Sequence, residues 1–166
     1  MKTNIGRRII MTNPSRLPAS ALRSHIGYRM RVVSNAVSHA FAKELAASGV
    51  TVAEWVILRE MYSGEATMSP GSIVELTGLS KGAVSKLVDR LLQKRLVTRE
   101  QSSADRRAQE IGLTASAVKL VPKLAAIADR NDKAFFSVLD ARERRALTDL
   151  LAKLAGFHHL HITPIE

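Results

Sequence analysis

Cysteine is absent from all 166 positions. That gap removes disulfide scaffolds, cysteine-ligated zinc, thiol nucleophiles and sensing by thiol oxidation. Aromatic residues are scarce, at 4%, while Ala, Leu and Val abound, a balance that favours helix over strand. No apolar run approaches the roughly 20 residues needed to cross a bilayer. Within residues 1–20 the apolar stretch Ile9-Ile10-Met11 is too short for the core of a secretion signal, so a cytoplasmic protein with no membrane partner is expected. Acid is in short supply as well: 15 Asp+Glu face 25 Lys+Arg, a formal charge of +10. Such an excess favours a polyanionic partner, and nucleic acid is the commonest one.

The cations are spread along the chain, with one bare basic stretch at the front. Residues 1–20 hold Lys2, Arg7, Arg8 and Arg16 and no acid, with Pro14 and Pro18 as breakers, so a flexible basic tail is expected. Over residues 21–50 the apolar positions Leu22, Ile26, Met30, Val33, Val37, Phe41 and Leu45 advance by threes and fours. They predict one amphipathic helix roughly 35–40 Å long, closed by Gly49 at its C′ position. A helix of that length carries more apolar face than a small core needs, so part of it is expected to meet a second chain.

Residues 51–113 read as a string of short elements. Thr51 and Glu54 are spaced as a capping box for a helix through Trp55, Val56, Leu58 and Tyr62. A turn is expected at residues 63–67. Ser69-Pro70 then supplies an N-cap and an N1 proline for a short helix that ends at Gly78. Ser80 caps the next helix at once, with Leu79 and Val84 at the two positions of a hydrophobic staple. Residues 96–99 and 110–113 are β-compatible runs around a polar stretch, which predicts a two-stranded ribbon with a basic loop. Residues 114–166 return to helix: Thr114 caps one that Pro122 is expected to kink or divide, and Asp140 with Glu143 box another through Leu147, Leu150, Leu151 and Leu154.

Two helices joined by Gly78-Leu79-Ser80 and followed by a basic hairpin form a winged helix-turn-helix pattern. Val84, Leu87, Val88 and Leu91 share the face that must anchor the second helix. The opposite face is short and polar near its start, with Ser80, Lys81, Gly82, Ser85 and Lys86, then Arg90 further on. Small residues there would let the backbone approach a groove floor, and the cations could meet phosphates or guanine edges. The same charges would also suit a solvated helix face.

The run Ser80-Lys81-Gly82-Ala83-Val84-Ser85-Lys86-Leu87-Val88-Asp89-Arg90-Leu91, then Leu96-Val97-Thr98-Arg99, Asp105-Arg106-Arg107-Ala108 and Leu113-Thr114, resembles the MarR (multiple antibiotic resistance regulator) family. The resemblance extends over about residues 20–160 and implies a mainly α fold. A winged helix-turn-helix at 51–113 would sit between N- and C-terminal helices, 21–50 and 114–166, that form a dimerisation region. It further implies a homodimer on a pseudo-palindromic double-stranded DNA operator, repression of transcription, release by a small and often aromatic anion, and no cofactor. By position it makes residues 80–93 the recognition helix. Arg106 becomes the residue that reaches the minor groove, Arg107 a phosphate or wing-base contact, and Asp105 the group that orients an arginine. Arg95 and Ala117 stand where the family usually has glycine. The alternative, on fold alone, is a winged helix used as a protein-interaction module without specific DNA binding.

Other chemistry finds little footing. Ser116 and Lys119 match the spacing of a penicillin-binding serine motif without its companions. His158, His159 and His161 lack an acidic partner nearby in sequence, and a terminal helix packed on a neighbour explains them as well as a metal would. No catalytic group and no enzyme activity are expected. An effector site would draw on His25, Tyr28, Arg29, Trp55 and Tyr62, where aromatic walls and a cation suit an aromatic carboxylate. Trp55 and Tyr62 equally fit a core at helical spacing.

Overall fold

The structure, a computed structural model, describes residues 20–64, 67–101 and 109–160. A 3-10 turn, Leu22–Ser24, precedes helix α1, Ile26–Ala46. The chain divides between Val33 and Ser34 into two units, so α1 contributes to both. The second unit then runs α2 (Val52–Ser63), β1 (Thr67–Met68), α3 (Pro70–Thr77), α4 (Lys81–Gln93), β2 (Val97–Gln101), β3 (Gln109–Leu113), α5 (Ala115–Phe135), a 3-10 turn at Phe136–Val138 and α6 (Ala141–Phe157). The architecture is mainly helical with one small antiparallel sheet, as the sequence pattern implies.

The helix ends follow local chemistry. Past α1, Gly49 N–H donates to Ala46 O and Val50 N–H to Leu45 O, a Schellman closure with Gly49 at φ 70°. Leu45 and Val50, the pair that such a closure brings into hydrophobic contact, are both buried. Thr51, Ser69, Ser80, Thr114 and Asp140 each accept a backbone N–H at the start of the following helix. Both anticipated capping boxes are complete, Thr51 with Glu54 and Asp140 with Glu143.

The core joins Leu45, Val50, Ile57, Leu58 and Met61 to Ile73, to the inner face of α4, to Ile111 of β3 and to Val121 and Leu124 of α5. α2 packs on α5, and α3 on α4. Asn131 reaches from α5 to donate to Val37 O at 3.3 Å, which satisfies its buried amide.

Two expectations need correction. The ribbon is a three-stranded sheet in the order β1-β3-β2, with Thr67 opposite Gly112 and Met68 opposite Ile111. Thr67, expected in a turn, is strand. Two residues have no period to read, and only pairing with β3 makes them one. Gly112 is where the three strands crowd, since a Cβ there would lie 3.0 Å from Thr98 Oγ1 and 3.7 Å from Thr67 Cγ2. Pro122, expected to kink or divide its helix, does not divide it, since α5 continues through the proline as a single element. Proline removes one rung of the ladder, and the packing of Val121 and Leu124 in the core holds the turns on both sides of it.

Arg95 takes the left-handed conformation, φ 56°, at the close of α4. Its N–H donates to Leu92 O and that of Leu96 to Leu91 O, while Thr114 Oγ1 donates to Arg95 O at 2.9 Å. These bonds fix a conformation in which a side chain costs on the order of 1 kcal/mol. Replacing Arg95 by glycine is therefore expected to raise stability by about 0.5–1 kcal/mol, read as a higher urea midpoint at unchanged slope. A lower midpoint would show that the arginine side chain contributes more than its backbone costs.

Candidate nucleic-acid interface

The turn between α3 and α4 sets the direction of the second helix. Gly78 closes α3 at φ 67°, and buried Thr77 donates its hydroxyl to Ile73 O at 2.7 Å while accepting the Leu79 N–H. Ser80 Oγ then accepts from Ala83 N–H, and α4 begins. Val84, Leu87, Val88 and Leu91 are buried on one side of α4. Ser80, Lys81, Gly82, Ser85, Lys86 and Arg90, the predicted DNA-facing set, are all exposed. Lys81, Gly82, Ser85 and Lys86 occupy the first two turns, beside the first-turn N–H groups and the positive end of the helix dipole, which favour an anion.

Arg90 lies a turn further on and turns aside, with Nε 3.9 Å from Glu54 Oε1 at the start of α2. Asp105, Arg106 and Arg107 lie outside the described residues, between Gln101 and Gln109, which pair across β2 and β3.

The fold adds residues that the sequence reading left out. Arg99 of β2 and Gln109 of β3 border a groove of about 360 Å³ together with Lys81, Ser85, Val88 and Pro70. Arg99 also donates through a guanidinium nitrogen to Asp89 Oδ1 at 2.8 Å, tying the sheet to the outer face of α4. A signal existed: Arg99 is two residues after Val97, which is buried, so strand alternation turns both toward the same side.

Glu54 is the other omission. As the third residue of α2 it serves the capping box, yet it is fully buried and bound by Lys94, whose Nζ lies 2.8 and 2.7 Å from its two oxygens. Burial alone would raise its pKa. The hydrogen bond from Lys94, the Thr51 backbone N–H and the lysine charge outweigh that and hold the carboxyl below its ordinary value. Nothing in the sequence links positions 54 and 94.

The residues expected to bind a small molecule fall in the two units, each described by itself. In the first, Tyr28 and Arg29 line a hollow of about 410 Å³ with Arg23, Val32 and Val33. Arg29 Nε donates to Arg23 O at 3.0 Å, and His25 shares a 3.0 Å hydrogen bond with Ser20. In the second, Trp55 is buried and meets Phe41 edge-on, with ring centroids 6.2 Å apart. Tyr62, on the last turn of α2, is exposed. Among the described residues no group of three His, Asp or Glu side chains could hold a metal ion, and no helix is long and apolar enough to cross a membrane.

Residues 48–108 match the sequence profile described as the MarR family. Solved structures with the same fold include Bordetella bronchiseptica BpsR, whose DNA binding is regulated by 6-hydroxynicotinic acid; it is 22% identical, with 83% of this chain and 98% of that one covered and a TM-score of 0.71. MepR of S. aureus, solved as a DNA complex, is 24% identical over 80% of this chain and 97% of that one, TM-score 0.71. An organohalide-sensing transcriptional regulator in its 2,4-dichlorophenol-bound form is 17% identical over 95% and 96%, TM-score 0.76.

Proposed function

We propose, for a chain that belongs through residues 48–108 to the MarR family, that it is a homodimeric regulator binding a pseudo-palindromic operator and repressing transcription. The observation that carries this reading is the division of α4: four buried aliphatic side chains on one side, and an exposed, short-chained, basic first two turns on the other. Such a helix can enter a major groove with its backbone close to the base edges. Lys81 and Lys86 would neutralise phosphates or donate to guanine, and Ser80 and Ser85 would accept or donate at short range. Arg106 would extend into the neighbouring minor groove, with Asp105 and Arg107 beside it.

Dimerisation draws support from apolar surface that stays exposed among the described residues. α6 has no buried residue, and Leu150, Leu151, Leu154 and Phe157 are exposed along it. In the first unit Ile26, Met30 and Val33 are exposed at helical spacing. An effector draws support from two relatives whose ligands are small aromatic molecules. Tyr28, Arg23 and Arg29 would meet the ring and charge of such a compound, with His25, Trp55 and Tyr62 as further candidates.

The decisive experiment is selection of DNA from a randomised pool, followed by competition of the selected duplex against a scrambled one at physiological salt. A pseudo-palindrome with half-site centres about 34 Å apart is expected, bound at least about 10³-fold more tightly than the scramble. Arg106→Ala should weaken operator binding by about 1–3 kcal/mol with dimerisation intact. Equal affinity for both duplexes would refute the operator reading and favour a protein-interaction module.

A further inference from the structure

A glutamate at the third position of a helix is ordinarily solvated, because a capping box needs nothing more than reach to the N-cap N–H. Glu54 is instead fully buried. Thr51 N–H donates to its Oε2 at 2.8 Å, and Lys94 Nζ donates to Oε1 at 2.8 Å and to Oε2 at 2.7 Å. Lys94 Nζ also donates to Gly49 O at 2.7 Å. An ammonium has three protons, and here three acceptor oxygens surround it. Arg90, with Nε 3.9 Å from Oε1, adds charge on the same side.

The two ends of this cluster belong to different parts of the fold. Lys94 is the C-cap of α4, immediately beyond the helix that carries the DNA-facing residues. Gly49, Thr51 and Glu54 form the junction between α1 and α2. One ion pair therefore fastens the far end of α4 to that junction across 40 positions of sequence. Apart from the Arg99–Asp89 pair, which is open to solvent, the other anchors of α4 are aliphatic, and apolar packing resists separation more than it resists small rotations, being non-directional. An ammonium bonded at three points resists both.

Direction matters because of leverage. α4 has 13 residues, and at 1.5 Å per residue it is about 20 Å long, so a swing of about 5° at Lys94 displaces the Lys81 end by nearly 2 Å. That exceeds the tolerance of a base-edge hydrogen bond, which is gone by about 3.5 Å. Stability gives a weaker reason for the pair, since taking a carboxylate out of water offsets much of what its partner returns.

We propose that Glu54 and Lys94 are positioning residues for operator recognition: their ion pair, made on a buried carboxylate by a part-exposed lysine, sets the angle at which α4 presents Lys81, Ser85 and Lys86 to a half-site. The inference rests on the DNA-binding reading above. Its test uses the full chain, the duplex selected by the wild-type protein and a scrambled duplex at one salt concentration. Lys94→Met leaves a buried carboxylate without its partner, so the double variant Glu54→Gln/Lys94→Met, which removes charge and partner together, keeps the experiment readable if the single one does not fold.

Circular dichroism establishes that the variant is fully folded at the assay temperature. The operator-to-scramble affinity ratio is then expected to fall about tenfold, the worth of roughly one base contact, while scramble affinity stays within about twofold. Lys94→Arg, which keeps the charge, should retain most of the ratio. A folded double variant with an unchanged ratio overturns the proposal. So does equal weakening toward both duplexes, which would mark Lys94 as a phosphate contact. A wild-type protein that fails to distinguish the duplexes refutes the DNA-binding reading itself, and that result needs no variant.

Discussion

With glutamate in place of both Leu150 and Leu154, the protein is expected to sediment as a monomer and to lose about 10²–10⁴-fold in operator affinity, the usual advantage of engaging two half-sites at once. The two leucines lie four residues apart on α6, 60% and 45% exposed, with Leu151 beside them at 45%. Apolar surface of this kind along a whole helix is unusual on a chain that stays single. In the proposed dimer the stripe would be covered, and each introduced carboxylate would be buried without a cation, a cost of several kcal/mol per ion. Analytical ultracentrifugation reads the first effect and fluorescence anisotropy with the selected duplex reads the second. Circular dichroism should change little, because α6 buries no side chain in its own chain. A variant that remains dimeric would place the subunit contact elsewhere.

The second large effect is expected at Trp55. Truncation to alanine removes an indole that is 9% exposed and stacked edge-on against Phe41 at 77°. Such a change in a core costs about 3–5 kcal/mol, a large share of the 5–15 kcal/mol typical of a domain. Trp55→Phe keeps an aromatic ring and should cost less, about 1.5 kcal/mol or under. Urea unfolding must be followed by far-ultraviolet circular dichroism, since this is the single tryptophan of the chain. A loss below about 1 kcal/mol for the alanine variant would mean that the cavity collapses or that the site is open. Operator affinity of the phenylalanine variant, with and without a small aromatic acid, then reports whether the ring also serves an effector.

Much of the fold could be read directly because it is local. A capping box spans four residues, so Thr51 with Glu54 and Asp140 with Glu143 identified themselves, as did Ser69-Pro70 and the cap at Ser80. The buried face of α4 followed from the spacing of Val84, Leu87, Val88 and Leu91, and its exposed basic face from what remained. Arg95 at a usual glycine position left open whether the helix closes through a left-handed residue or ends differently, and the packed chain closes it at φ 56°. Asp105, Arg106 and Arg107 rest on the motif, since they lie outside the described residues.

What stayed hidden depends on partners distant in sequence. β1 exists because β3 lies alongside it. Arg99 joins the α4 surface because the sheet turns it toward Asp89. α5 passes through Pro122 as one element, with core residues on both sides of the break. Glu54 and Lys94 each look like ordinary surface charges, one a capping residue and the other a lysine at a helix end. The helix-forming periods, the caps and the division of α4 into apolar and basic faces were settled by residues within about two turns of one another, a range over which backbone geometry alone fixes neighbours. The pairing of buried Glu54 with Lys94, the third strand and the groove at Arg99 required the packed chain, because burial and long-range pairing are properties of the space around a residue and have no period along the sequence.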